Sequence, residues 1–188
     1  MVQSKTEFEK IKDRIIRGDA PAVIIVDDAE TPLGLVVDEW LKEYADLLQD
    51  SEILPVRIDC TRYADSLAIW KGLAGGIRQG LSDVYDDEVA QRKWSRVETQ
   101  QNATETIKMN LVSVLDYVRK NSHWTVLLIL EGFESVIEKM DEPDIMKIRN
   151  MTTSLRVLSV SHLPLEELGA AKYGNVYFLN QFLSYHIQ

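Results

Sequence analysis

The chain has 188 residues, a hydrophobic share of 45% and a charged share of 27%, proportions that suit one soluble domain with a sizeable core. Its net charge of −9 and pI near 4.9 weigh against general nucleic-acid binding, because an acidic surface repels a phosphate backbone. The single cysteine, Cys60, excludes an internal disulfide and fits a reducing, cytoplasmic setting, while the polar start MVQSKTEFEK and the short apolar run VLLIL provide neither a signal peptide nor a membrane span.

In chain order, residues 1–20 hold a first helix. Ser4 and Glu7 have capping-box spacing, Phe8, Ile11, Ile15 and Ile16 share a face, and Gly18 and Pro21 end it. AVIIV, Ala22 to Val26, is an unbroken β-branched run that suits a strand covered on both faces. Residues 32–48 predict a strongly amphipathic helix through Leu33, Val36, Val37, Trp40, Leu41, Tyr44, Leu47 and Leu48. ILPVRIDC reads as a strand whose Pro55 suggests an edge position or the first residues of the strand, with Cys60 as a small core residue behind it. A helix over 63–80 carries Gly72, Gly75 and Gly76, which weaken it.

Residues 82–103 are the most polar stretch and predict a solvated loop or helical insertion. It contains the one dense basic group, Arg92, Lys93 and Arg96, flanked by acids, and one large apolar residue, Trp94, expected to pack locally. Asn102 and Glu105 repeat the capping-box spacing before a helix with Ile107, Leu111, Val114, Leu115 and Val118 on one side. The sequons at Asn102 and Asn150 carry no weight for a chain outside the secretory route. WTVLLIL is a second buried strand ending at Glu131-Gly132-Phe133-Glu134. A helix follows over 143–153, then the strand LRVLSV, Ser161-His162, a short helix over 164–171 and a last strand, NVYFLN.

Strands alternating with helices predict an α/β fold, a three-layer sandwich with a mostly parallel central sheet. Such a sheet gathers ligand sites at the carboxyl ends of its strands. Three polar clusters fall there: Asp27-Asp28, Glu131 to Glu134, and Ser161-His162.

These segments resemble P-loop ATPases of the AAA+ and STAND (signal-transducing ATPase) type over about residues 20 to 188. TVLLILEGFESV looks like a Walker B strand, and Glu131-Gly132-Phe133-Glu134 is close to the Asp-Gly-Phe-Asp form of the signalling members. LRVLSVSHLPLEEL is similar to the sensor-1 strand, with Ser161-His162 where that family often has Ser-Arg. YGNVYFLNQFL resembles the last core strand and the approach to a lid. The sequence reaches no lid domain: either a lid belongs to a longer parent chain or the ATPase-like domain works without one. If the family chemistry were intact, Glu131 would hold Mg²⁺ through water and Glu134 would polarise the attacking water. The other reading makes both strand-end acids left in solvent.

The departure lies in the loop DDAETPLGLV. A working loop reads G-x-x-x-x-G-K-[ST]; its backbone N–H groups and lysine hold phosphate and its hydroxyl holds Mg²⁺. Here Gly34 matches the second glycine, and Leu35 and Val36 stand in for the lysine and the hydroxyl. One carboxylate ~7 Å from a phosphate charge costs roughly 2 kcal/mol at an effective dielectric near 20. Asp27, Asp28 and Glu30 therefore oppose a triphosphate, and a helix N-terminus returns only ~0.3–2 kcal/mol. Asp28 or Thr31 is expected to cap the helix beginning near Pro32. A sharper option groups Asp27, Asp28 and Glu131 around Mg²⁺ or Ca²⁺. His162 fits a turn residue better than a catalyst, and His123 and His186 form no ligand spacing.

The expectation is thus a catalytically inactive ATPase-like module, with no cofactor, whose partner is another protein in a signalling or defence assembly. The alternative is a nucleotide-binding ATPase with an unusual loop, and only that version takes ATP and Mg²⁺. Neither version involves a membrane.

Overall fold

The computed structural model describes residues 2–18, 21–85, 87–99, 104–151, 154–173 and 182–187. Five strands, β1 (Ala22–Val26), β2 (Ile53–Asp59), β3 (Thr125–Glu131), β4 (Arg156–Ser161) and β5 (Leu183–Ile187), pair in the order β2-β3-β4-β1-β5. Every pairing is parallel. All five carboxyl ends therefore share one edge, and the loops after β1, β3 and β4 become neighbours there. β2 lies at one border of the sheet, where Pro55 is tolerated because a proline removes a ladder donor.

Strand alternation divides the core into two layers. Ala22, Ile24 and Val26 of β1, Leu127 and Ile129 of β3, and Leu158 and Val160 of β4 face one side. There they meet α1 (Val2–Arg17) and α2 (Leu33–Asp50), whose Val36, Val37, Trp40 and Tyr44 are buried. Val23, Ile25, Val56, Ile58, Leu128 and Leu130 face the other side. That layer holds α3 (Ser66–Ser82), α4 (Glu88–Thr99), α5 (Thr104–Asn121), α6 (Phe133–Lys139), α7 (Glu142–Asn150) and α8 (Leu165–Tyr173). The three-layer α/β architecture expected from the sequence is the one found. No helix among the described residues is long and apolar enough to cross a membrane.

The strand expected at NVYFLN lies outside the described residues; the fifth described strand is Leu183–Ile187, which pairs with β1 from Ala22 to Val26. Two expectations change. The polar stretch 82–103 is helical over Glu88–Thr99, one of the two readings, but the helix is packed rather than solvated. Its helix α4 turns Ala90, Trp94 and Val97 inward at spacings of four and three, and the last two join the core that holds α3 and α5. The stripe is narrow and the rest of the helix is charged, so composition hides it. A further short helix, α6, begins directly after Gly132. This residue has φ 67°, and a Cβ there would lie 2.6 Å from Thr61 Cγ2, so only glycine fits the bend. Asn102, the expected cap of α5, is outside the described residues.

Trp94 separates the packed helix from a loosely attached one. Trp94→Ala is expected to cost about 3–5 kcal/mol in urea unfolding, the loss for a large buried aromatic. A change below about 0.5 kcal/mol, typical of surface sites, would contradict the packing.

Candidate functional site

Glu131 ends β3 on the face covered by α2. It is 8% exposed, so the expectation of a strand-end acid left in solvent does not hold for it. A buried carboxylate needs a cation, and β2 provides one. Asp59 of β2 lies opposite Glu131, so Arg57, two residues earlier, faces the same side as a diagonal neighbour. The Arg57 Nε donates to Glu131 Oε1, and Nη2 lies 3.3 Å from Oε2, a forked contact. Nη1 donates to Asp38 Oδ1 on α2, and Nη2 donates to the Gly34 carbonyl at 3.1 Å. One guanidinium thus ties β2, β3 and the first turns of α2. The bond to Glu131 raises the Arg57 pKa above its ordinary value against the opposing effect of burial, with Asp38 adding to the rise.

Gly34 has a different reason to be glycine from the one the phosphate-loop pattern implies. A Cβ there would lie 2.9 Å from Arg57 Nη2 and 3.3 Å from Glu131 Oε2. The missing side chain makes room for the guanidinium.

The loop after β1 is closed by its own groups. Asp28 Oδ1 accepts from the Glu30 N–H at 3.0 Å, and Oδ2 accepts from Thr31 Oγ1 at 2.7 Å. The Asp28 carbonyl accepts from the Thr31 N–H at 3.1 Å. Bonds from Thr31 and Glu30 hold the Asp28 carboxyl below its ordinary pKa. The expected cap is therefore wrong. α2 has Pro32 at its N-cap with no side-chain bond, because Asp28 and Thr31 bond each other instead. The Asp27 N–H donates to the Ile187 carbonyl at 3.0 Å, and its Oδ1 lies 2.9 Å from His186 Nδ1.

The sensor-like pair is also occupied. Ser161 is fully buried; its Oγ accepts from the Leu163 N–H at 3.1 Å and donates to the Leu163 carbonyl at 3.0 Å, forming a turn. His162 Nδ1 lies 3.4 Å from the Val26 carbonyl, bridging the tips of β4 and β1. Glu134 sits in the first turn of α6, half-buried rather than in solvent, and its Oε2 has no hydrogen-bond partner among the described residues.

The three carboxylates considered for a metal are engaged separately: Asp27 with His186, Asp28 within its loop, Glu131 with Arg57. Among the described residues, no group of three or more His, Cys, Asp or Glu is placed to hold a metal ion. Cys60 is buried behind β2, and desolvation pushes its thiol up to about 12, with Asp59 and Glu131 adding to the rise. A thiol so held is inert as a nucleophile. Next to it, burial raises the Asp59 carboxyl, but bonds from Thr61 and Arg62 outweigh it and hold the pKa below the ordinary value.

Sequence reasoning missed Arg57, Asp38 and His186. For Arg57 a signal existed, since alternation along ILPVRID sets Arg57 on the same face as Asp59. It became legible only with the β2–β3 register.

No protein-family model and no curated protein matches the chain. Solved structures do match. The ORC2 protein of Aeropyrum pernix, in its ADPNP-ADP complexes, aligns with a TM-score of 0.66 at 11% identity, over 98% of this chain and 46% of that one. The ORC1 protein of the same organism, in complex with DNA, gives 0.58 at 11% identity, over 97% of this chain and 44% of that one. Drosophila ORC bound to DNA gives 0.53 at 11% identity, over 100% of this chain and 90% of that one. The five-stranded parallel sheet with flanking helices is the fold this chain shares with them. At such identities the likeness concerns the fold, and the chain spans about half the length of the two Aeropyrum proteins.

Two measurements test the site. Arg57→Ala strands the Glu131 carboxylate, a change worth about 3–5 kcal/mol for a fully buried pair. Arg57 keeps 37% of its side chain exposed, so screening reduces the expected loss to about 1–3 kcal/mol. Glu131→Gln added to it should recover part of that loss, and strictly additive effects in urea unfolding would count against the clamp. Asp59 has a folded pKa below its ordinary 3.8, so its stabilising effect is present above that value and lost as pH falls through the lower folded one. Asp59→Asn should be less stable than the parent at neutral pH, with the gap narrowing on acidification below 3.8. A gap that widens instead would reverse the sign.

Proposed function

We propose that this chain is an ATPase-like module whose phosphate site is closed by its own side chains, and that it serves as a protein-interaction or regulatory element rather than an enzyme. The observation that carries this reading is the Arg57 clamp. The Arg57 guanidinium beside the loop is bound to Glu131, Asp38 and the Gly34 carbonyl. Leu35 stands where the resemblance calls for lysine and is 60% exposed, presenting no charge to a phosphate.

Backbone donors support the same reading. A phosphate cradle needs loop N–H groups that point free of the chain. Here the N–H groups of Asp27, Glu30, Thr31 and Leu35 bond to Ile187, Asp28, Asp28 and Pro32, and Pro32 has none. A nucleotide would have to break these bonds and approach Asp27, Asp28 and Glu30, all exposed. Glu131, already paired, would have to release Arg57 before serving a metal ion.

One observation favours a second reading. The ORC2 protein with a similar fold is described in ADPNP-ADP complexes. Transfer to this chain would make it a nucleotide-binding protein with an unusual loop. The ORC1 and Drosophila ORC structures contain DNA, which raises a DNA partner as well. The net charge of −9 opposes that transfer, and the proposal keeps another protein as partner, as the STAND resemblance implies.

Calorimetric titration with ATP and Mg²⁺ is expected to show no saturable heat, in the parent and in Arg57→Ala alike, because the variant leaves the loop bonds in place. Micromolar affinity in the parent would overturn the proposal in favour of the nucleotide-binding one. Anisotropy of a labelled duplex at low salt should stay flat over the micromolar range of protein; a saturable rise that falls steeply with added salt would establish DNA contact instead.

A further inference from the structure

The two border strands of the sheet treat their outer backbone groups differently. The Thr125 N–H donates to the Glu52 carbonyl at 2.9 Å. Residues 54, 56 and 58 of β2 therefore turn their N–H and C=O groups toward β3, and residues 53, 55, 57 and 59 turn theirs outward. Pro55 falls in the outward set, where it removes a donor, and Arg57 follows it there with a charge. Proline and charge on a border strand guard it against pairing with another chain.

β5 forms the other border. The Leu183 N–H donates to the Pro21 carbonyl at 3.1 Å, and the Ile187 carbonyl accepts from the Asp27 N–H at 3.0 Å. Residues 183, 185 and 187 are thus directed at β1, and the N–H and C=O groups of Ser184 and His186 point away from the sheet. Among the described residues, no strand pairs with that side. Ser184 and His186 are exposed, while Tyr185 and Ile187 turn their side chains to the layer that holds α1. The strand LSYHI contains no proline, lysine, arginine or carboxylate. Its outward groups, two donors and two acceptors about 6.6 Å apart along the strand, form an unguarded pairing template.

We propose that β5 accepts an extended, basic segment of a partner protein as an added strand. The hydrogen-bond pattern sets the form of the ligand, because donors and acceptors that recur every second residue match an extended backbone. Charge sets its composition. Asp27 stands at the carboxyl end of β5, in contact with His186 and with 38% of its side chain exposed, and Asp28 and Glu30 are exposed beyond it. A chain of charge −9 attracts a cationic segment and repels a second copy of itself. Alternate residues of the added strand lie beside Tyr185 on the α1 side and beside Ser184 and His186 on the other, so alternating apolar and basic residues fit. The inference rests on the protein-interaction reading for its class of partner, and it names where and how that partner attaches.

The test uses the full chain, isotope-labelled, and three peptides: acetyl-Val-Lys-Val-Lys-Val-Lys-amide, its glutamate counterpart, and the lysine peptide with every backbone nitrogen methylated. The lysine peptide should shift the amide resonances of Ser184 and His186, saturate in the millimolar range and slow deuterium exchange at both. The glutamate peptide should bind at least tenfold more weakly, and the methylated one should leave both resonances unmoved. Ser184→Pro, which removes an outward donor, and Ser184→Lys, which adds a guarding cation at an exposed position, should each weaken binding at least tenfold. Ser184→Lys should leave the melting temperature unchanged. No saturable shift, equal shifts with the methylated or the glutamate peptide, or binding that survives Ser184→Lys would overturn the proposal. So would a dimer in sedimentation equilibrium that Ser184→Lys dissociates, which would assign the edge to a second copy of the chain. Each of these results removes the strand site and leaves the closed phosphate site standing, whereas saturable ATP binding does the reverse.

Discussion

The Arg57 guanidinium is the contact on which the carboxyl edge of this sheet depends. It satisfies a carboxylate that β3 delivers into a nearly closed environment, and in the same geometry it bonds the first turn of α2 through Gly34 and the second through Asp38. Without that cation Glu131 would be a buried charge with no counterpart. The guanidinium fits where a lysine would not, because a planar fork can address a carboxylate on one side and a carbonyl and a second acid on others.

The clamp also explains neighbouring choices. Gly34 has no Cβ because Arg57 and Glu131 occupy that space. In the loop between β1 and α2, the Asp28 turn and the β5 terminus engage the N–H groups of Asp27, Glu30 and Thr31. A sheet with parallel strands and a bend between β1 and a helix offers positive potential at its carboxyl edge. In this chain that potential is met internally, by the Asp28 carboxylate within the loop and by the Asp27–His186 contact, and the charges of Glu131 and Asp38 are met by Arg57. Repulsion and pre-empted donors act in the same direction, so the closed reading does not depend on one effect alone.

The other side of the sheet shows how much can be hidden in a polar segment. α4 is charged over most of its surface, yet Trp94 and Val97 fix it into the core. The carboxyl edge on the opposite side is rich in exposed acids at Asp27, Asp28 and Glu30.

The sequence by itself determined the layered α/β architecture, because β-branched runs such as AVIIV and helical spacings such as those of residues 33–48 encode burial locally. It also determined that the loop after β1 lacks a lysine, and it placed Cys60 inside, whereas for Trp94 it gave only local packing. It did not reveal the fifth strand, whose partly exposed LSYHI pattern is weak and is set only by pairing with β1. It assigned Asp28 and Thr31 to the wrong task, since whether two polar side chains bond a helix or each other depends on where the backbone turns. Only the tertiary structure decided the fate of Glu131. Arg57 lies 74 residues away in the chain, and the register of β2 against β3 brings them together, a relation that no local pattern of residues contains.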